Sequence, residues 1–189
     1  MPVWLIVILV IVGIIVLFGA IIAGMYNSLV KLNERVEEAW SDITIQLKRR
    51  ADMLPNLVET VKGYAKHEKE VFEHCADARA KMMGARTVQS VADADRSMLG
   101  ALSRIMAVAE NYPALQANEN FQKLMSEISD TEDKVSASRR FYNAGAKDLN
   151  TKIKVFPFNI LFHSFKIREY YNVDEKEFER VEKAPEVKF

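Results

Sequence analysis

The chain has 189 residues, with 26 Lys and Arg set against 26 Asp and Glu, and one cysteine, Cys75. A net charge of zero offers no basic stripe to a polyanion, so nucleic acid is excluded as the expected partner. One cysteine excludes an intramolecular disulfide and a cysteine-rich metal site.

Residues 3–25 are 23 consecutive uncharged positions, almost all Val, Ile, Leu, Phe, Ala or Gly. As a helix this run reaches roughly 35 Å, enough to cross a hydrocarbon core of about 30 Å with some tilt. A single segment in lipid must satisfy its own backbone hydrogen bonds, which selects the helix. A cleaved signal peptide is the rival, but it wants a positive leader, a shorter apolar core and a small-residue cleavage site. Only Met1 and Pro2 precede the run, and no Lys or Arg occurs before Lys31. Residues 1–26 are therefore expected to be a permanent membrane anchor. Lys31, Arg35 and the Lys48-Arg49-Arg50 cluster follow it, so the positive-inside rule puts the N-terminus outside and the large domain in the cytoplasm. Gly13, Gly19 and Gly24 permit close approach of a second span, although no G-x-x-x-G occurs in the run.

Every charged residue lies beyond Tyr26, in about 163 residues that suit one domain with a real core. The period there is helical. Leu29, Leu32, Val36, Ala39, Ile43 and Leu47 recur at spacings of three and four, with Trp40 widening the stripe. Leu57, Val61, Tyr64, Val71, Phe72, Cys75, Ala78 and Met82 continue the pattern. Val91, Met98, Leu102 and Ile105 make a third stripe, and Phe121, Ile128, Val135, Tyr142 and Leu149 a fourth. Such stripes describe helices that bury one face against each other, so the fold class is all-α. Breaks at Pro55, Gly84 and Pro113 predict helices near 27–53, 55–84, 90–111 and 113–154, an antiparallel up-and-down bundle over residues 27–155. The apolar register passes Pro55 unbroken through Leu54 and Val58, as in one kinked helix. A reversal there is preferred because it buries four stripes together. The expected core includes Leu32, Val36, Trp40, Ile43, Val61, Tyr64, Phe72, Leu102, Ile105, Phe121, Ile128 and Tyr142.

Residues 156–189 differ in texture. Four phenylalanines fall within residues 156–165, beside Pro157. They fit a cap over the bundle end, or else a protein contact or a patch at the bilayer surface. Phe158, Ile160, Phe162, Phe165 and Tyr170 are the candidate oligomer or lipid contacts, with Tyr170 and Tyr171 placed as interface anchors often are. Residues 174–182 are expected to form a short charged helix, and residues 184–189 an extended tail.

Few residues invite chemistry. His67 and His74 share a face but, seven apart on a helix, stand about 10 Å from each other, too far for a helical metal pair. Cys75 falls on an apolar stripe, where a thiol behaves as a small hydrophobe. There is no phosphate loop, no G-x-S-x-G, no H-E-x-x-H and no pair of Glu-x-x-His repeats for a di-iron centre. No catalytic, metal or cofactor residues are expected. One polar block stands out. Glu132 and Arg139 lie beside the seam of Ile128, Val135 and Tyr142, and a partner among Arg49 or Arg50 would give a buried polar network. Such a network on a bundle seam sets register at some cost in stability, and a bound ligand is the other use.

Several linked motifs carry a resemblance: Tyr26-Asn27-Ser28-Leu29-Val30, Val36-Glu37-Glu38-Ala39-Trp40, Gln46-Leu47-Lys48-Arg49-Arg50, and the run from Leu54-Pro55-Asn56-Leu57 to Gly63-Tyr64-Ala65. Ala109-Glu110-Asn111-Tyr112-Pro113, Ala117-Asn118-Glu119-Asn120-Phe121 and Arg139-Arg140-Phe141-Tyr142-Asn143 belong to the same set. Together they make the chain similar to the LemA family from the anchor to about Val187, departing at residues 160–165, which lack small Gly and Ala. The resemblance implies a bacterial, N-terminally anchored single-pass membrane protein with a helical bundle, relatives at magnetosome membranes, and no established enzymatic activity. Two function classes are expected to compete. One is a non-enzymatic scaffold that self-associates and organises or shapes membrane. The other is a sensor or adaptor whose bundle binds an unidentified protein or small ligand. The lipid bilayer is the expected partner of both.

Overall fold

The computed structural model describes residues 2–172. The expected helix and tail at 174–189 lie outside them. In chain order the helices are α1 (Val3–Lys62), α2 (Lys69–Gly84), α3 (Val88–Asn111), α4 (Pro113–Gln116), α5 (Glu119–Lys154) and α6 (Phe158–Leu161), with no strand among the described residues. The fold class is all-α.

The expected reversal at Pro55 does not occur. α1 runs unbroken through it for 60 residues. Proline inside a helix costs about 3 kcal/mol, but its ring here lies on the exposed side, while Leu54, Leu57 and Val61 stay buried. Each of those side chains returns about 1.5–3 kcal/mol on burial, so keeping the stripe outweighs the lost bond. The chain turns eight residues later, at 63–68. The amide of Ala65 donates to Val61 O at 2.9 Å, and α2 opens at Lys69 rather than near residue 55.

Local chemistry sets the other ends. Thr87 accepts from the amide of Ser90, whose hydroxyl in turn accepts from the amide of Thr87, a capping box that starts α3. Pro113 opens only the single turn of α4. The helix expected over 113–154 is interrupted at Ala117-Asn118, where Asn118 Oδ1 accepts from the amide of Phe121 at 3.0 Å and starts α5 afresh.

The described chain divides into two compact units. The first joins the residues up to Glu38 with Phe141–Glu169, and the second joins Ala39–Arg140 with Tyr170 onward. In the first unit, Leu29 and Val36 of α1 are buried, as are Tyr142, Ala146 and Leu149 of α5. Gly145 lets α5 come close to α1: a Cβ there would stand 3.2 Å from Val36 Cγ2. In the second unit, Ile43, Leu47, Met98, Ile105, Phe121, Ile128 and Val135 fill the core.

Tyr64, expected in the core, is 41% exposed, because it sits in the turn past the end of α1. Its hydroxyl accepts from Asn118 Nδ2 at 3.0 Å. Leu32, Trp40 and Phe72 are half-buried rather than buried. The Trp40 ring lies 6.3 Å from that of Tyr171. Trp40→Ala is therefore expected to cost less than the about 3–5 kcal/mol of a fully buried ring. A melting temperature unchanged in that variant would contradict the packing.

Candidate functional site

Three helices of the second unit each place one polar residue where an apolar one belongs. On α1, Arg50 continues the stripe of Ile43 and Leu47. On α3, Asp95 stands between Val91 and Met98. On α5, Thr131 stands between Ile128 and Val135. All three side chains are essentially sealed from water. Arg50 Nη1 donates to Asp95 Oδ1 at 3.0 Å and Arg50 Nε to Thr131 Oγ1 at 3.1 Å. The Thr131 hydroxyl donates onward to Ile128 O at 2.6 Å. Arg50 Nη2 approaches Glu132 Oε2 at 2.7 Å, a charge contact without hydrogen-bond alignment. A fourth group arrives from the C-terminal side: Tyr171, 1% exposed, donates its hydroxyl to Asp95 Oδ2 at 3.1 Å.

Two carboxylates beside one guanidinium leave one negative charge in excess, an expensive layer to bury. Burial pushes the Asp95 carboxyl above its ordinary range, against the pull of Arg50 and of the Tyr171 hydroxyl. Burial likewise pushes the Tyr171 hydroxyl far up, helped by the neighbouring Asp95 charge.

Of the four residues expected in a polar network, the structure brings Arg50 and Glu132 together. Arg139 is half-buried and near enough to favour ionisation of Asp95 and Tyr171. Arg49 points elsewhere, in an exposed pair with Glu127 at 3.9 Å, a geometry worth little. Asp95 and Tyr171 were not anticipated. Asp95 carries a signal, a carboxylate at a core position of the α3 stripe. Tyr171 carries none, since it comes from an aperiodic segment.

Tyr171→Phe removes one donor from buried Asp95 and is expected to cost about 1–3 kcal/mol. It should also change the alkaline limb. Tyr142 in the first unit is raised by burial as well. A tyrosine whose folded value exceeds the unfolded value of about 10 keeps its proton longer when folded. Its contribution is complete below that unfolded value and is lost as pH rises toward the folded one. Thermal melts from neutral to strongly alkaline pH should show stability falling less steeply in Tyr171→Phe than in the parent.

The aromatic candidates lie in the first unit, apart from Tyr170. Phe162 and Phe165 pack against Tyr26, with ring centroids 5.8 and 5.9 Å away, and Phe158 lies 5.9 Å from Phe162. Lys152 Nζ stands 5.2 Å over the Phe158 ring and is hydrogen-bonded to Ser28. Those three rings are half-buried, whereas Ile160 is 59% exposed and Tyr170, in the second unit, is 38% exposed. Just beyond, Asn150 clamps Arg168 with two backbone hydrogen bonds of 2.8 Å. The Arg168 guanidinium reaches Asn33 Oδ1 at 2.7 Å and pairs with Glu37. Tyr142 donates to Glu169 O at 2.8 Å.

No three His, Cys, Asp or Glu gather as a metal set among the described residues. Burial pushes the Cys75 thiol up to about 11, which leaves it protonated and unreactive. A groove of about 350 Å³ between α1 and α2 is lined by Leu54, Val58, Phe72, Cys75 and Met83, with Lys62 and Arg79 at its rim.

A family model described as the LemA family matches residues 39–189. The chain belongs to the LemA family. Magnetosome protein MamQ 2 of Paramagnetospirillum magneticum is 27% identical over 185 residues, covering 83% of this chain and 68% of that protein. Magnetosome protein MamQ of Magnetospirillum gryphiswaldense is 26% identical over 175 residues, covering 78% and 64%. Protein LemA of Metamycoplasma hominis is 26% identical over 167 residues, covering 88% and 76%. Neither LemA nor MamQ is a known enzyme family. With its long apolar run, this LemA-family chain is a membrane-associated, helical protein.

Proposed function

We propose that this LemA-family protein is a non-enzymatic membrane scaffold that self-associates, with residues 3–25 as its single span. The observation that carries this is the start of α1. None of the residues in its apolar window is buried in the protein, and the same helix runs unbroken to Lys62. An apolar surface so large needs lipid or other spans to cover it. Among the described residues, nothing beyond the helix's own adjoining backbone lies within 4 Å of a Cβ built on Gly13, Gly19 or Gly24, which leaves those positions open to a second copy. Its MamQ relatives are magnetosome proteins by name, which agrees with a role in organising or shaping membrane.

The buried polar layer serves as the register device of this scaffold. Arg50, Asp95 and Thr131 satisfy each other only in one alignment of their three helices. The N-terminus lies outside and the helical domain in the cytoplasm, following Lys31, Arg35 and Lys48. A reporter fused after Phe189 tests this, and activity on the external side alone would reverse it.

The particle mass of the full chain in mild detergent tests self-association. A defined particle of several copies supports the scaffold. A monomer would instead favour a sensor or adaptor, for which the α1–α2 groove with its cationic rim is the binding surface.

A further inference from the structure

We infer that residues 155–167 form a second membrane contact, an aromatic and basic platform seated in the headgroup layer of the bilayer that residues 3–25 cross. The inference rests on that run being a span. Tyr26 directly follows the run, so it stands where hydrocarbon gives way to headgroups. Phe162 and Phe165 pack on Tyr26, so this segment is held at the same depth.

Its outward face has the composition of an interfacial element. Phe156 is 77% exposed, Ile160 59%, Leu161 44% and Ile167 60%, a group of large apolar side chains that the described residues leave open. Phe158, Phe162 and Phe165 are spent largely on the internal ring cluster with Tyr26. The residues left to meet lipid are thus Phe156, Ile160, Leu161 and Ile167. Charge favours the same partner. Residues 151–169 carry Lys152, Lys154, Lys166 and Arg168 against Glu169, and since Arg168 is paired with Glu37 the three lysines are the cations left to meet headgroups. A basic rim around apolar side chains suits an anionic headgroup layer. A second protein copy would need a complementary acidic face and would leave the position beside Tyr26 without a reason.

The test uses the full chain with Cys75→Ala, reconstituted in nanodiscs containing phosphatidylglycerol. Spin labels are placed singly through Phe156→Cys and Leu161→Cys, both at exposed positions, with Asp130→Cys as a water-facing control. The expected result is an accessibility ratio of oxygen over a water-soluble nickel chelate several-fold higher at 156 and 161 than at 130. The ratio should drop when phosphatidylcholine replaces phosphatidylglycerol. Ratios equal to the control would overturn the inference. So would exclusion of both reagents with spin–spin broadening between copies, which would make the face a protein interface. A ratio indifferent to lipid charge would overturn the part assigned to the basic residues. The span keeps the chain in the nanodisc in every case, and the particle mass is read separately, so failure here leaves the scaffold proposal standing.

Discussion

Arg50→Leu should lower the stability of the second unit by about 3–5 kcal/mol, the usual cost of removing one partner from a buried pair. The side chain is wholly buried and, among the described residues, is the cation in contact with Asp95, Thr131 and Glu132. Glu132 is 39% exposed at its side chain and can turn to water. Asp95 cannot, being 1% exposed, so it is left as a charge in an apolar core. At about 4 °C per kcal/mol for a unit of this size, the melting temperature should fall by roughly 12–20 °C. The deficit should also depend on pH. Asp95 already titrates above its ordinary range, and without Arg50 it should rise further. A carboxyl raised in the fold holds its proton where the unfolded chain has lost it. Its stabilising contribution is therefore present at low pH and disappears as pH rises through the folded value. Acidification should thus narrow the gap between Arg50→Leu and the parent. The double variant Arg50→Met, Asp95→Leu should recover most of the loss, because an apolar pair replaces the ions. Equal melting temperatures for parent and Arg50→Leu would show that the layer does not hold the helices.

How much of this was legible follows from periodicity. Stripes such as Ile43-Leu47-Leu54-Leu57-Val61 are dense, so helices and most core positions were readable. The expected reversal at Pro55 rests on burying four stripes together, whereas the proline lies on the exposed side of α1 and the helix runs through it. An outward-facing proline leaves the stripe intact. Tyr64 was misjudged by extending a helical period past the point where the helix stops. Glu132 and Arg139 could be placed beside the seam, with the partner left open between Arg49 and Arg50; the structure puts Arg50 against Glu132. Asp95 was missed although it interrupts the stripe of Val91, Met98 and Leu102, the same mark that Arg50 leaves on α1. Tyr171 and the Asn150–Arg168 clamp were out of reach, since they depend on a loop returning to helices from which it is distant in sequence, with no period to announce it.

Removing residues 3–25 should move the protein from the membrane fraction to the soluble one. Of those 23 residues, 16 are Val, Ile, Leu or Phe. At about 0.3–0.6 kcal/mol of insertion free energy for each, the run holds the chain by roughly 5–10 kcal/mol. An arginine near the middle of a span costs about 2.5–3.5 kcal/mol, so Ile11→Arg should weaken insertion and Ile11→Arg with Ile14→Arg should come close to abolishing it. Fractionation of cells, followed by carbonate extraction, reads this directly. None of the residues in the apolar window is buried in the protein, so the shortened chain should keep its helicity and the unfolding transition of the second unit. The basic and aromatic surface at 155–167 should then leave a weak attachment to anionic vesicles that salt removes, since surface charge attraction falls away within a Debye length. Full retention in the carbonate-resistant membrane fraction after the deletion would mean that a different part of the chain is the anchor.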